Sequence, residues 1–259
     1  MAPWSIRDTG PYSARNSSKG ALIKEAAQIF SALGRGVAKT ELRALALSGK
    51  LLSQRSYSNR KRIFDALSHR CLSYSPLWML ETMTQAAALG ERSAELVSLL
   101  YLHYALRDHL TFDFVTQVLW AQKIEGKLAV MRESLLGHLE SASSSQPQIS
   151  RWSESSRTKL AGSILTALRD FGVLEGSQRK RLASPSLPLA TAEHLLRLLY
   201  LEGKRGREVL QDAAWRLFLL TEADAAHVLS RLAQQRRIGF ERSGSTVVLV
   251  FPESWSQSP

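Results

Sequence analysis

Two knots of cationic residues stand out as groups able to do chemistry. In the first, Asn59-Arg60-Lys61-Arg62 follows closely on Gln54 and Arg55, and Ser68-His69-Arg70 comes a few residues later. In the second, near the C-terminus, Arg231, Arg236, Arg237 and Arg242 lie within a dozen residues. Guanidinium and ammonium groups at this density hold phosphates. Polar side chains beside them at the start of a helix reach base edges, as in the recognition helix of a helix-turn-helix. The chemistry implied is recognition of an anionic polymer rather than the making or breaking of bonds.

Residue patterns for catalysis are missing. The six histidines, His69, His103, His109, His138, His194 and His227, are scattered, and no pair has metal-binding helical spacing with a carboxylate between them. His103 and His109, six apart, are expected on different sides of one helix. Asp108 and Asp113 have no acidic company at a spacing that suits a nuclease. Neither Gly34-Arg35-Gly36 nor Gly203-Lys204-Arg205-Gly206 has the length or strand context of a phosphate loop, and no Gly-x-Ser-x-Gly elbow occurs. The single cysteine, Cys71, leaves no intramolecular disulfide and no cysteine-based zinc cage. The expectation is a protein that is not an enzyme, with no cofactor and no small-molecule substrate.

The elements that must position the cations read mainly as helices. Ala21, Leu22, Ile23, Ala26, Ala27, Ile29 and Phe30 recur at helical spacing and predict a helix over 20–33, ended by Gly34-Arg35-Gly36. A second helix is expected over 39–47 with Thr40 as N-cap, and a third over about 58–72. Ile63, Phe64, Leu67 and Cys71 form the apolar stripe of the third, and the basic residues cover most of its remainder. Three short helices with a basic start on the third match a helix-turn-helix-like unit; the alternative is an amphipathic helix with a solvated basic face.

Residues 76–140 read as further helices, and their aromatic residues, Trp78, Tyr101, Tyr104, Phe112, Phe114 and Trp120, sit in apolar stripes as core. One helix is expected over 127–139. Ser141-Ala142-Ser143-Ser144-Ser145-Gln146-Pro147 reads as a flexible loop or linker. A helix then runs to Phe171 with Ser153 as N-cap, followed by Arg179-Lys180-Arg181 in a loop with Pro185 and Pro188. Helices are expected over 191–201, 207–220 and 222–236, the last capped by Thr221. Residues 238–242 and 246–251, around Ser243-Gly244-Ser245, form a hairpin pattern. The fold class expected is mainly α: a multi-helix bundle with a helix-turn-helix-like unit over 1–75, a helical unit over 76–185 and a winged-helix-like unit over 186–259. Winged helices bind DNA or serve as protein-interaction modules, and both readings stay open for the last unit.

Charge is segregated along this frame. Residues 1–70 hold 13 Lys/Arg against 4 Asp/Glu, residues 71–150 hold 5 against 8, and residues 151–259 hold 16 against 11. The total of +11 implies an anionic partner, and its uneven placement favours a binding face near the N-terminus. Met1-Ala2-Pro3-Trp4-Ser5-Ile6-Arg7 lacks an apolar stretch of secretory length, and no run approaches the roughly 20 apolar residues that span a bilayer. The cytoplasm, without a membrane partner, is the expected location.

Three segments together resemble one family. They are Tyr12-Ser13-Ala14-Arg15, then Leu51-Leu52-Ser53-Gln54-Arg55-Ser56 leading into Asn59-Arg60-Lys61-Arg62-Ile63, and Trp152-Ser153-Glu154-Ser155-Ser156-Arg157-Thr158-Lys159-Leu160 followed by Leu168-Arg169-Asp170-Phe171-Gly172-Val173-Leu174. Over about residues 10–200 the chain resembles BrxA, a small component of bacterial BREX phage-exclusion systems. The resemblance implies a helical protein with an N-terminal helix-turn-helix-like unit, a middle similar to the antitermination factor NusB, double-stranded DNA as ligand and no catalysis. It also implies other BREX subunits as partners. The segment from about 190 onward extends beyond the usual length of the family, so DNA is held at one site or at two. Gln54, Arg55, Asn59, Arg60, Lys61, Arg62, His69 and Arg70 are the expected contacts at the first site. Arg236, Arg237 and Arg242 are those at the second. An RNA-binding protein, or an assembly scaffold with its basic face against an acidic subunit, fits the same charge.

Overall fold

The computed structural model describes residues 5–18, 20–73 and 76–255. Met1–Trp4, on which part of the reading against a secretory segment rests, and the expected boundary at residue 75 lie outside them. The chain is mainly helical. A short 3₁₀ turn, Arg15–Ser17, precedes α1 (Ile23–Gly34), α2 (Leu42–Ser48) and α3 (Tyr57–Leu67), which continues into a π turn over Ser68–Leu72. Next come α4 (Leu77–Ala88), α5 (Ala94–Leu106) and α6 (His109–Asp113), the last running through a π segment, Phe114–Leu119, into α7 (Trp120–Ile124). The order continues with β1 (Ala129–Val130), α8 (Arg132–Ala142), a 3₁₀ segment Pro147–Arg151, α9 (Glu154–Asp170), β2 (Leu174–Glu175) and β3 (Lys180–Leu182). The last part comprises α10 (Leu189–Leu201), α11 (Arg207–Leu210), a 3₁₀ segment Ala213–Phe218, α12 (Glu222–Gln234), β4 (Gly239–Ser243), β5 (Thr246–Val250) and a final 3₁₀ turn, Glu253–Trp255.

The centre of the molecule is α5. Leu96 and every residue from Ser98 to Leu106 are buried, so this helix is enclosed on all sides rather than amphipathic. Against it pack α1, α4, α6 and α10. The expected boundaries at 75/76 and 185/186 do not separate cores: α1 lies on α4, and the Tyr101 hydroxyl donates to the Leu217 carbonyl at 2.8 Å. The N-terminal segment closes the same assembly. Ile6 is buried, and Arg7 reaches Glu202 and Asp212, both at 2.8 Å, where these two carboxylates outweigh the burial of the guanidinium and raise its pKa.

Several local expectations are met by physical detail. Ser153 accepts from the Ser156 amide at the start of α9, and Thr221 and Asp224 form a reciprocal capping box on α12. The C-terminal hairpin pairs Gly239 with Val250 and Ser243 with Thr246, one residue from the bounds read in the sequence. Trp78, Tyr101, Tyr104 and Phe114 are buried, and Phe112 and Trp120 are partly buried against the same core.

Four expectations are corrected. Arg179-Lys180-Arg181 is no simple loop: Lys180–Leu182 is the middle strand of a three-stranded antiparallel sheet ordered β1-β3-β2. The helix expected from 127 starts only at Arg132, because Ala129 and Val130 pair with Arg181 and Lys180. The helix expected over 207–220 breaks at Gln211-Asp212, where the Asp212 carboxylate accepts from the Ala214 amide and begins a new turn. The serine-rich stretch is ordered, since α8 extends to Ala142 and the Gln146 side chain accepts from the Tyr12 amide at 3.0 Å. In addition, α2 begins at Leu42 behind Glu41, and neither Thr40 nor any other side chain caps it.

Candidate nucleic-acid interface

From Leu42 to Phe64 the chain carries Arg43, Lys50, Arg55, Arg60, Lys61 and Arg62 and no acidic residue; Glu41 and Asp65 bracket the run. The helices α2 and α3 pack on each other and fold this run into a corner. Its turn begins at Gly49, whose φ of +85° is a left-handed conformation that favours glycine. The Arg60 guanidinium lies over that glycine, 3.5 Å from where a Cβ would stand. Arg60 donates from Nε to the Leu47 carbonyl at 2.9 Å, and from Nη1 to the carbonyls of Gln54 and Arg55 at 2.6 and 2.9 Å. It thereby satisfies a carbonyl at the C-terminal end of α2 and locks the loop that leads to α3. Ser56 then caps α3 by accepting from the Asn59 amide at 3.2 Å.

The side chains that leave this corner for solvent are Arg55, Lys61 and Arg62, joined by Lys50 in the turn and Tyr57 at the first position of α3. Arg55, Arg62 and Lys50 make no ion pair among the described residues. Lys61 shares Asp65 with Arg43, at 2.8 and 2.9 Å. Burial works to raise the Asp65 pKa, but those two cations win and lower it, so one half-buried carboxylate is shared by two neighbouring cations. The interhelical turn and the N-terminal end of α3 thus present positive charge, an exposed tyrosine ring and the amide-bearing end of a helix.

The other expected contacts fall elsewhere. Gln54 points back to α1, its Nε2 donating to Glu25 at 2.8 Å. Asn59 is half-buried beside the Ser56 cap. His69 lies between Arg15, at 2.5 Å, and the Arg107 carbonyl, at 3.3 Å; burial and the Arg15 and Arg107 guanidinium charges lower its pKa against the raising effect of that carbonyl. Arg70 is buried, donates to Gly20 and Asn16 at 2.9 and 2.7 Å, and stacks 4.6 Å over Tyr104. It braces the core and does not reach a surface ligand. In the C-terminal part Arg237 pairs with Glu193 at 2.6 Å and Arg242 with Glu222 at 3.3 Å, while Arg236 is exposed just past the end of α12. The start of α12 carries Glu222 and Asp224, charges opposite in sign to those that would meet phosphate.

Tyr57 and Lys50 were absent from the expected contacts. A sequence signal for Tyr57 existed, since it directly follows the Ser56 cap and so opens the helix. Among the described residues no group of three or more His, Cys, Asp or Glu could hold a metal ion. His103 and His109 stand on α5 and α6, not on one helix. Cys71 is buried, which pushes its thiol up to about 12.

A mainly helical bundle with a basic two-helix corner and a terminal β-hairpin is the class that fold and surface define. Within that class, the sequence model of the BrxA family matches residues 10–198, and the chain belongs to this family, which is associated with BREX phage defence. A crystal structure of an uncharacterized protein from Magnetospirillum magneticum has the same fold. Its TM-score is 0.62 at 19% identity, with 82% of this chain and all of that one covered. No curated protein sequence matches. No helix among the described residues is long and apolar enough to cross a membrane.

Proposed function

We propose that this BrxA-family protein is a non-catalytic, double-stranded-DNA-binding subunit of a BREX system, and that it grips the duplex with the α2–α3 corner. The observation that carries the reading is the outward display of Arg55, Lys61 and Arg62 from a corner in which their neighbour Arg60 is spent inside as the brace. Lys50 and Tyr57 extend the same face. Cations of this kind contact phosphate, which supplies affinity without sequence information, so binding is of low specificity and sensitive to salt. The C-terminal hairpin is the weaker candidate, because Arg237 and Arg242 are neutralised by Glu193 and Glu222. Other subunits of the defence system are the natural partners of such an accessory protein.

The test is fluorescence anisotropy with a labelled duplex of unrelated sequence, using the wild type and an Arg55→Ala/Lys61→Ala/Arg62→Ala variant of matched thermal stability. The expected loss is at least about tenfold in affinity, or 1.4 kcal/mol. Equal affinity in the variant moves the site off this corner. Preferential displacement by structured RNA over duplex DNA favours an RNA-binding protein instead.

A further inference from the structure

A cavity of about 650 Å³ opens away from the α2–α3 corner in sequence, between β1, the start of α8, α9 and the turn into β3. That volume is in the range of small-ligand and side-chain pockets. Its floor is Val130, Leu165 and Gly162. Gly162 sits inside α9, where glycine costs roughly 0.5–1 kcal/mol relative to alanine. No atom lies within 4 Å of a Cβ placed there. Packing therefore gives no reason for a glycine at this position, and its effect is to keep the floor open.

The rim is apolar and cationic. Met131 is 63% exposed, and Leu128, just before β1, is 44% exposed. Arg132 and Arg179 are exposed at the opening and make no ion pair among the described residues, while Lys180 donates to the Ser177 carbonyl. Glu133 is the single acid among the lining residues. Arg179 and Lys180, at the start of β3, come from the Arg179-Lys180-Arg181 cluster of the sequence, and the DNA reading makes no use of them.

We propose that this cavity docks an acidic peptide segment of a partner protein, which inserts one apolar side chain over Gly162 and sets its carboxylates on Arg132 and Arg179. Charge selects the acidic class. Exposed apolar surface lies at the cavity in Met131 and outside its lining in Leu128, and a segment of chain covers both where a small molecule would leave the second in water. Met131, flexible and polarizable, adapts to such a partner. The site is independent of the α2–α3 corner and stands whether or not that corner binds DNA.

The experiment uses the full chain and a fluorescein-labelled peptide with a central Leu-Phe pair flanked by Asp and Glu, read by anisotropy. Saturable binding is expected, weakened at least about tenfold both by Gly162→Leu, which fills the floor, and by Arg132→Glu/Arg179→Glu. A peptide carrying Lys in place of every acid is expected not to bind. Leucine favours the helix more than glycine does, so Gly162→Leu folds, and an unfolding curve matching that of the wild type verifies this. Absence of peptide binding, equal affinity in Gly162→Leu, or equal binding of the Lys peptide each overturns the proposal.

Discussion

The guanidinium of Arg60 donates to three backbone carbonyls, while that of Arg62, two residues on, has no ion pair among the described residues and faces solvent. Removing the first leaves partly buried carbonyls without their donor. We expect Arg60→Ala to cost about 1–3 kcal/mol in urea unfolding, and Arg62→Ala to stay within about 0.5 kcal/mol of wild type. Equal effects of the two would contradict the division of labour at the corner. At this scale the sequence discloses residue types but not directions. Arg60, Lys61 and Arg62 are adjacent in a basic run, and only the fold turns the first inward against Gly49. Arg70 belongs to the same basic stretch, yet the π turn after α3 carries it into the core beside Tyr104.

Among the elements, those with a cap and a long apolar stripe were legible. Ser153 and Thr221 stand immediately before α9 and α12, because a side-chain oxygen there satisfies an amide that the helix cannot. Replacing Thr221 with alanine removes one half of the capping box and is expected to lower stability by about 0.5–2 kcal/mol, measured by thermal or urea unfolding; no change would show that Asp224 suffices alone. Short elements were not legible. β1, β2 and β3 are two or three residues each, too few to display an alternating pattern, and they exist only because residues 129–130, 174–175 and 180–182 meet in space. The break at Asp212 was hidden for the reverse reason. Apolar spacing continues through it, and the aspartate that starts a new turn reads equally well as one polar residue on a helix.

At the scale of the molecule, one core joins the three parts that composition and turn signals suggested as separate units. The clearest tie between α5 and α10 is a buried contact of two histidines, His103 and His194, whose Nε2 atoms lie 3.0 Å apart. One ring must donate and the other accept, so the two cannot both be protonated while the contact holds. Burial holds His103 down to about 4, helped by Arg107 against the opposing Arg70 carbonyl. Burial, His103 and Arg197 hold His194 well below its usual range. A histidine with a depressed pKa takes up its proton more readily when unfolded. Stability from this pair is therefore fully present above pH 6.5 and is lost as pH falls from 6.5 toward 4. We expect melting temperatures to fall steeply across that window and a His103→Gln/His194→Gln variant to flatten the fall. An unaltered slope in the variant would contradict a neutral pair.

The central claim, a phosphate-gripping corner on a BrxA-family scaffold, is tested most directly by titrating salt against binding to an unrelated duplex. The account predicts a straight, falling log–log plot whose slope eases by about 0.9 for each cation removed, first Arg55 and then Arg62. No binding at low salt, or a slope unchanged when both are replaced by alanine, would contradict it.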